Sequence, residues 1–150
     1  MTDTASIASL ADDIAAARAA SDPQRLLSAL PYARLIGAEA RLSEGQLRLL
    51  LPAAEHNLGN PYLPALHGGA LAAFAELTAI VTLLWQQEAF VLPKTVTTTV
   101  DFARSATLRD THAEARISRI GRRVATVAVT VWQESSAKPV ASAHTHFLLG

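Results

Sequence analysis

His67-Gly68-Gly69 and Glu76 are the residues whose types and spacing best suit chemistry. A glycine pair opening a helix leaves backbone N–H groups unpaired at the positive end of the helix dipole, and lets a ligand oxygen approach them closely. That is how an oxyanion hole for acyl transfer is built. Glycine pairs also simply relieve crowding, so the tripeptide alone decides little. Glu76 is the sharper signal. From His56 to Gln87 there is no Lys, Arg or Asp, and Glu76 is the one acidic residue. A carboxylate buried in so apolar a stretch must be paired, protonated or functional. An ion-pair partner would come from the later strands, as Arg104 or Arg116. The functional alternative is a general base or nucleophile, because burial raises a carboxylate pKa toward the working range.

The spacing carries a further inference. Gly68 and Glu76 lie eight residues apart, about 12 Å along a helix axis. A reacting carbonyl needs its oxyanion donor and its base or nucleophile each within about 3 Å. One helix cannot easily bring both to one carbonyl. Two antiparallel copies can, with Gly68 of one chain facing Glu76 of the other. An acyl-transfer site of this kind predicts at least a dimer with two shared sites.

Other elements must position that helix. Residues 68 to 87 are helical in length and composition, and apolar on every face except at Glu76, Thr78 and Thr82. Such a helix is enclosed by other structure. The first twenty residues predict an Ala-rich helix with Ile7, Leu10, Ile14 and Ala17 as its apolar positions. Asp22 before Pro23 marks the start of a second, short helix. The stretch "ALPYARLIGAEARLSEGQLRLLLPA" predicts two strands turning at Ser43-Glu44-Gly45. After Pro93 the period becomes two. Val96, Thr98, Val100 and Phe102 alternate with Thr95, Thr97, Thr99 and Asp101. Three more alternating runs follow, separated by "SATLRD", "RIGRR" and "ESSAKP", which predicts a four-stranded antiparallel meander. The expected fold class is α+β: an antiparallel sheet wrapped around a long central helix, with extra helices at the N-terminus. The expected division is a helical extension over 1–29 and the main domain over 30–150.

Composition narrows the functional classes. The chain has 150 residues, 50% of them hydrophobic and 17% charged, which suits one domain with a sizeable core and excludes a disordered chain. Net charge is zero and no basic tract stands out, so no nucleic-acid partner is expected. Without cysteine there are no disulfides, thiolate metal sites or Cys nucleophile. Asp3, Asp12 and Asp13 stand where a leader would carry basic residues, and the apolar run Ala70 to Trp85 is short for a membrane span. A soluble, cytoplasmic protein with no membrane partner is expected.

The element order and "LHGGALAAFAELTA" resemble the hotdog-fold acyl-CoA thioesterases, in particular the phenylacetate-degradation-type branch. That branch shows an Asn, then His-Gly-Gly, then Asp or Glu nine residues after the His, as at His67 and Glu76. The resemblance spans roughly residues 30 to 149. It implies hydrolysis of an acyl-CoA thioester, with a small- or medium-chain or aryl acyl group, in a homodimer or a dimer of dimers and with no cofactor. The Gly68 amide, with Gly69 beside it, would polarise the carbonyl. Glu76 of the partner chain would act as general base or nucleophile, and His67 would position the loop or the substrate. A hydroxyl at the start of the strand after the helix would orient the water: Thr95, with Thr97 second. The chain departs from the pattern in one place. The family's Asn usually lies six residues before the His, where this chain has Pro61. Asn60 is one residue earlier and is the candidate, with Asn57 further away. Non-catalytic acyl-CoA binding is the alternative function, and enoyl-CoA hydration or dehydration a weaker one.

The remaining candidates are less specific. Arg119, Arg122 and Arg123 form a basic turn that is either a solvated hairpin or a contact for CoA phosphates, which Arg suits. Arg104 and Arg109 are weaker candidates for the same role. Phe74 and Leu71 could line an acyl pocket, although helical core packing explains them equally well. Trp85 and Trp132 are core or interface residues. His144 and His146 share a strand face but lack a third ligand nearby, so no metal is expected.

Overall fold

The computed structural model describes residues 4–150. Residues 1–3, including Asp3 of the leader argument, lie outside the described residues. Three helices come first: α1 (Thr4–Ala19), α2 (Pro23–Ser28) and α3 (Pro31–Ile36). Asp22 caps α2 as its sequence suggests, its Oδ1 accepting from the Arg25 N–H at 3.2 Å. The third helix was expected as a strand. Pro31 opens it with a preset φ, and Gly37 closes it in the left-handed conformation at φ 76°. Those two residues outweigh the apolar alternation between them.

Next come β1 (Glu39–Ser43) and β2 (Gln46–Leu51), then the short pair β3 (Leu58–Asn60) and β4 (Ala65–Leu66). The central helix α4 spans Gly68–Gln86, and β5 (Pro93–Phe102), β6 (Thr111–Ile120), β7 (Val124–Trp132) and β8 (Ala141–Leu149) follow. The main sheet is six-stranded and antiparallel, in the order β1-β2-β6-β7-β8-β5. The last four strands are therefore not a simple meander. Only β6, β7 and β8 run consecutively, and β5 crosses to the edge beside β8. The connection over 103–110 makes that crossing, held by Leu66 N–H to Ala106 C=O at 2.8 Å and Leu108 N–H to Pro64 C=O at 3.0 Å.

The sheet curls around α4, which packs against β5, β6, β7 and β8. Length and hydropathy alone would let α4 cross a membrane. Here its Leu71, Phe74, Leu77, Val81, Leu83 and Leu84 are buried in one core with Leu49, Val127, Val131 and Phe147 of the sheet. The N-terminal helices close the same core through Ile14, Leu26, Leu27 and Ile36. Arg18 of α1 also donates to the Leu84 carbonyl, which satisfies an acceptor at the C-terminal end of α4.

Candidate active site

The N-terminus of α4 is set by contacts around His67. Its N–H donates to the Asn57 carbonyl at 2.8 Å, and buried Asn57 donates through Nδ2 to the Ile36 carbonyl at 3.1 Å. The His67 ring caps the helix: Nδ1 accepts from the Gly69 N–H at 2.8 Å. That acceptor role places the proton of the neutral ring on Nε2. A Cβ on Gly69 would lie 2.8 Å from Nδ1, and one on Gly59 would lie 2.9 Å from the His67 Cα. Both glycines are thus dictated by the closeness of His67. Gly59 is a site residue that sequence reasoning missed, and Asn57 one that it ranked behind Asn60, since nothing in the linear order shows β3 folding back on β4.

The two glycines of the motif differ in consequence. Gly69 was expected to share the oxyanion role, but its N–H is taken by the His67 ring. The helix amides of Ala70 and Leu71 are taken by the His67 carbonyl. Among the described residues no acceptor meets the Gly68 N–H. Gly68 borders a cleft with Leu66, Leu71, Phe102 and Arg104. Asn60 is exposed and closes its own loop, with Oδ1 accepting from Tyr62 N–H at 2.9 Å and Leu63 N–H at 3.4 Å. Its acceptor is therefore spent on the turn, and the structure does not bring it to Glu76.

Glu76 lies a little over two turns further along α4. It was expected to be buried, yet in the single chain it is half-buried, on a stripe with Gly69, Ala72, Ala73 and Ile80 that the sheet leaves partly open. Among the described residues no Arg, Lys or His forms an ion pair with it. That removes Arg104 and Arg116 as structural partners. Among the described residues its one polar partner is Thr95, whose Oγ1 donates to Oε1 at 2.7 Å.

A β-bulge makes that contact. Strict alternation would put Thr95 on the face of Thr97 and Thr99, which pair with His146 and His144 on the outer surface. The register slips between Thr95 and Thr97, with Val96 as the extra residue, so Thr95 stands opposite fully buried Phe147 on the inner face. The bulge re-aims one hydroxyl at the helix. Thr97, the second candidate, stays outside.

The other candidates are dispersed. Phe74, expected as an acyl contact, is fully buried in the core of the single chain and lines none of the clefts described above. Arg104 borders the Gly68 cleft, but its Nη1 is held by the Pro139 carbonyl at 2.7 Å, and Arg109 pairs with Glu134 at 2.7 Å. Arg119, Arg122 and Arg123 are exposed at the β6–β7 turn with no ion-pair partner among the described residues. His146 Nδ1 and Thr126 Oγ1 lie 3.0 Å apart on the outer face.

Comparison with known proteins then places this geometry. The family model of the thioesterase superfamily matches residues 63–140, more than half of the chain and all of the helix that carries Gly68 and Glu76. The chain belongs to the thioesterase superfamily. Its fold is that superfamily's hotdog: a long helix wrapped by an antiparallel sheet. A Chromobacterium violaceum protein of known structure is 34% identical over 93% of this chain and 97% of its own, with a TM-score of 0.75. A phenylacetic acid degradation-related protein of Ralstonia eutropha is 25% identical over 84% of this chain and 98% of its own, with a TM-score of 0.68. The Bacillus halodurans BH2602 protein, solved with CoA, shares the fold at 19% identity and a TM-score of 0.68, over 95% of this chain and 91% of its own. No curated protein matches the chain. Membership of the superfamily supports thioester hydrolysis as the general activity.

Proposed function

We propose that the protein hydrolyses acyl-CoA thioesters with small- to medium-chain or aryl acyl groups. It would do so as a homodimer, alone or paired into a dimer of dimers. Each site would join the Gly68 amide of one subunit to Glu76 of the partner subunit. The observation that carries this reading is the Thr95–Glu76 hydrogen bond on a carboxylate with no cation paired to it among the described residues. A carboxylate kept for an ion pair would have its cation. This one has a hydroxyl that fixes one oxygen and leaves the other free for water.

Distance and the sheet support the dimer. Gly68 and Glu76 of one chain stand about 12 Å apart along the helix and cannot serve one carbonyl. Strand β5 is an edge strand, with Val96 and Phe102 more than half exposed. An apolar edge of this kind favours pairing with another chain. The chemistry then balances. Glu76 takes a proton from water as the oxygen attacks the thioester carbon, and the Gly68 N–H stabilises the oxyanion. Collapse breaks the C–S bond, and the proton held by Glu76 passes to the leaving thiolate. The products are a free acid and CoA.

The test is release of free thiol from a panel of acyl-CoAs, with wild type beside Glu76→Gln. The amide keeps the acceptor for Thr95 but cannot take the proton. A loss of about a hundredfold or more in kcat is expected for a general base. A wild type that releases no thiol from any acyl-CoA overturns the reading.

A further inference from the structure

Two clefts adjoin the N-terminus of α4, and the one on the α3 side has no part in the site so far. Gly68 borders the cleft that holds Phe102 and Arg104, while its neighbours His67 and Gly69 border the other. That second cleft, about 610 Å³ in volume, is lined by Tyr32, Leu35 and Ile36 of α3 and by His67 and Gly69 at the start of α4. No Lys, Arg, Asp or Glu lines it.

The sequence builds α3 with large apolar side chains on this cleft. Ala33 and Ile36 are buried and fasten the helix to the core. Tyr32 and Leu35, three residues apart and so neighbours on one face, are 47% and 69% exposed in the single chain. One exposed Leu needs no explanation, but two large apolar side chains side by side on a cleft do. One residue pins α3 to the helix start. Buried Asn57 donates to the Ile36 carbonyl at 3.1 Å, and its own carbonyl accepts from the His67 N–H at 2.8 Å. The wall of the cleft and the Gly68 amide are thus held in one frame.

We propose that α3 sets the size of the acyl group the protein accepts. A thioester carbonyl held on the Gly68 N–H has two arms, and an uncharged, apolar arm suits a cleft without a charged side chain. A medium-chain acyl group runs past Gly69 and ends on Tyr32 and Leu35, whose apolar surface it takes out of water. An acetyl group stops short of α3. Tyr32 and Leu35 are specificity-determining residues in this account and take no part in the proton transfers. The inference rests on the acyl-CoA reading above.

Free-thiol release from acetyl-, butyryl-, hexanoyl-, octanoyl- and decanoyl-CoA tests it in wild type, Leu35→Trp and Leu35→Ala. Leu63→Trp on the β3–β4 turn, 68% exposed and on neither cleft, is the control. Wild type is expected to favour octanoyl-CoA over acetyl-CoA in kcat/KM. Leu35→Trp fills the cleft and should lower kcat/KM for octanoyl-CoA about tenfold or more, with acetyl-CoA within about twofold. Leu35→Ala should move the best chain toward decanoyl-CoA, and Leu63→Trp should leave the profile unchanged. All three variants change an exposed position and should melt as wild type does. A wild type that favours acetyl-CoA overturns the proposal. So does a Leu35→Trp profile that is unchanged, or that falls equally at every length. An equal fall with a changed oligomer size in gel filtration would make this face of α3 a contact between copies of the chain instead. If wild type releases no thiol from any acyl-CoA, the hydrolytic reading fails separately, and S-alkyl thioethers of CoA decide this one by calorimetry. S-octyl-CoA binding about tenfold tighter than S-ethyl-CoA in wild type, with the gap lost in Leu35→Trp, upholds it. A gap absent from wild type, or kept by Leu35→Trp, overturns it.

Discussion

The two faces of α4 come from one apolar segment and serve opposite ends. On the enclosed face Phe74, Leu77, Val81 and Leu84 are covered by the sheet, and even the Thr78 hydroxyl turns back to the Phe74 carbonyl at 2.7 Å. On the other face Gly69, Ala72, Ala73, Glu76 and Ile80 stay partly open. Side chains there are small, apart from Glu76 and Ile80. The first face does what a core helix does, filling volume and excluding water. The second has little to fill within its own chain and carries the one carboxylate. Hydropathy cannot separate the two, because alanine reads as apolar on both. What separates them is which residues other elements cover.

The contrast predicts that stability and activity respond to different faces. Phe74→Ala empties a fully buried aromatic site and should cost about 3–5 kcal/mol of stability, read as a shifted denaturant midpoint with an unchanged slope. Activity per folded molecule should change little. A variant that stays stable but changes its acyl preference would return Phe74 to the pocket and break the comparison. Glu76→Gln should do the reverse. Its stability should stay within about 0.5 kcal/mol of wild type, as for partly open surface positions. Its hundredfold loss of turnover corresponds to about 2.7 kcal/mol of transition-state stabilisation.

This division explains what was legible in the sequence. The central helix, the turn at Glu44-Gly45 and the spacing of His67, Gly68 and Glu76 all depend on residues near one another in the chain, and periodicity shows them. Three features depend on contacts across it. The crossing of β5 to the sheet edge rests on the 103–110 connection docking against Pro64 and Leu66. The need for Gly59 rests on the Cα of His67, eight residues away. The exposure of Glu76 rests on where the sheet stops. Thr95 is the instructive case. Its position after the helix singled it out by resemblance, while strict alternation faced it outward, and only the slip at Val96 reconciles the two. One signal was available and underused: Pro31 and Gly37 bracket α3 with the usual start and stop of a helix.

Thr95→Val sharpens the comparison at smaller scale. It deletes the hydroxyl at nearly constant shape and leaves the Glu76 carboxylate without its donor. A loss of about tenfold in kcat is expected, on the order of one charge-assisted hydrogen bond. Thr97→Val, on the outer surface, serves as the control and should stay within about twofold of wild type. Equal losses in the two variants would mean that the bulge, not the hydroxyl, is what matters.

The smallest effect belongs to the outer surface of the sheet, where a titratable group serves packing rather than chemistry. The His112 ring stacks on Trp132 with centroids 5.9 Å apart, and the Arg48 guanidinium lies 5.3 Å from the same indole while pairing with Glu114 at 2.6 Å. Burial lowers the His112 pKa, and the Arg48 charge lowers it further against the opposing pull of Asp110. The folded protein therefore binds this proton less readily than the unfolded chain, whose histidine titrates near about 6.5. The resulting stability is fully present above that value and is lost as pH falls through the lower folded-state pKa. The melting temperature should drop between about pH 7 and pH 5, and His112→Phe, which keeps the stack and removes the titration, should flatten part of that slope. If the slopes of wild type and variant coincide, protonation of His112 is not felt by the fold, and the acid sensitivity comes from other groups.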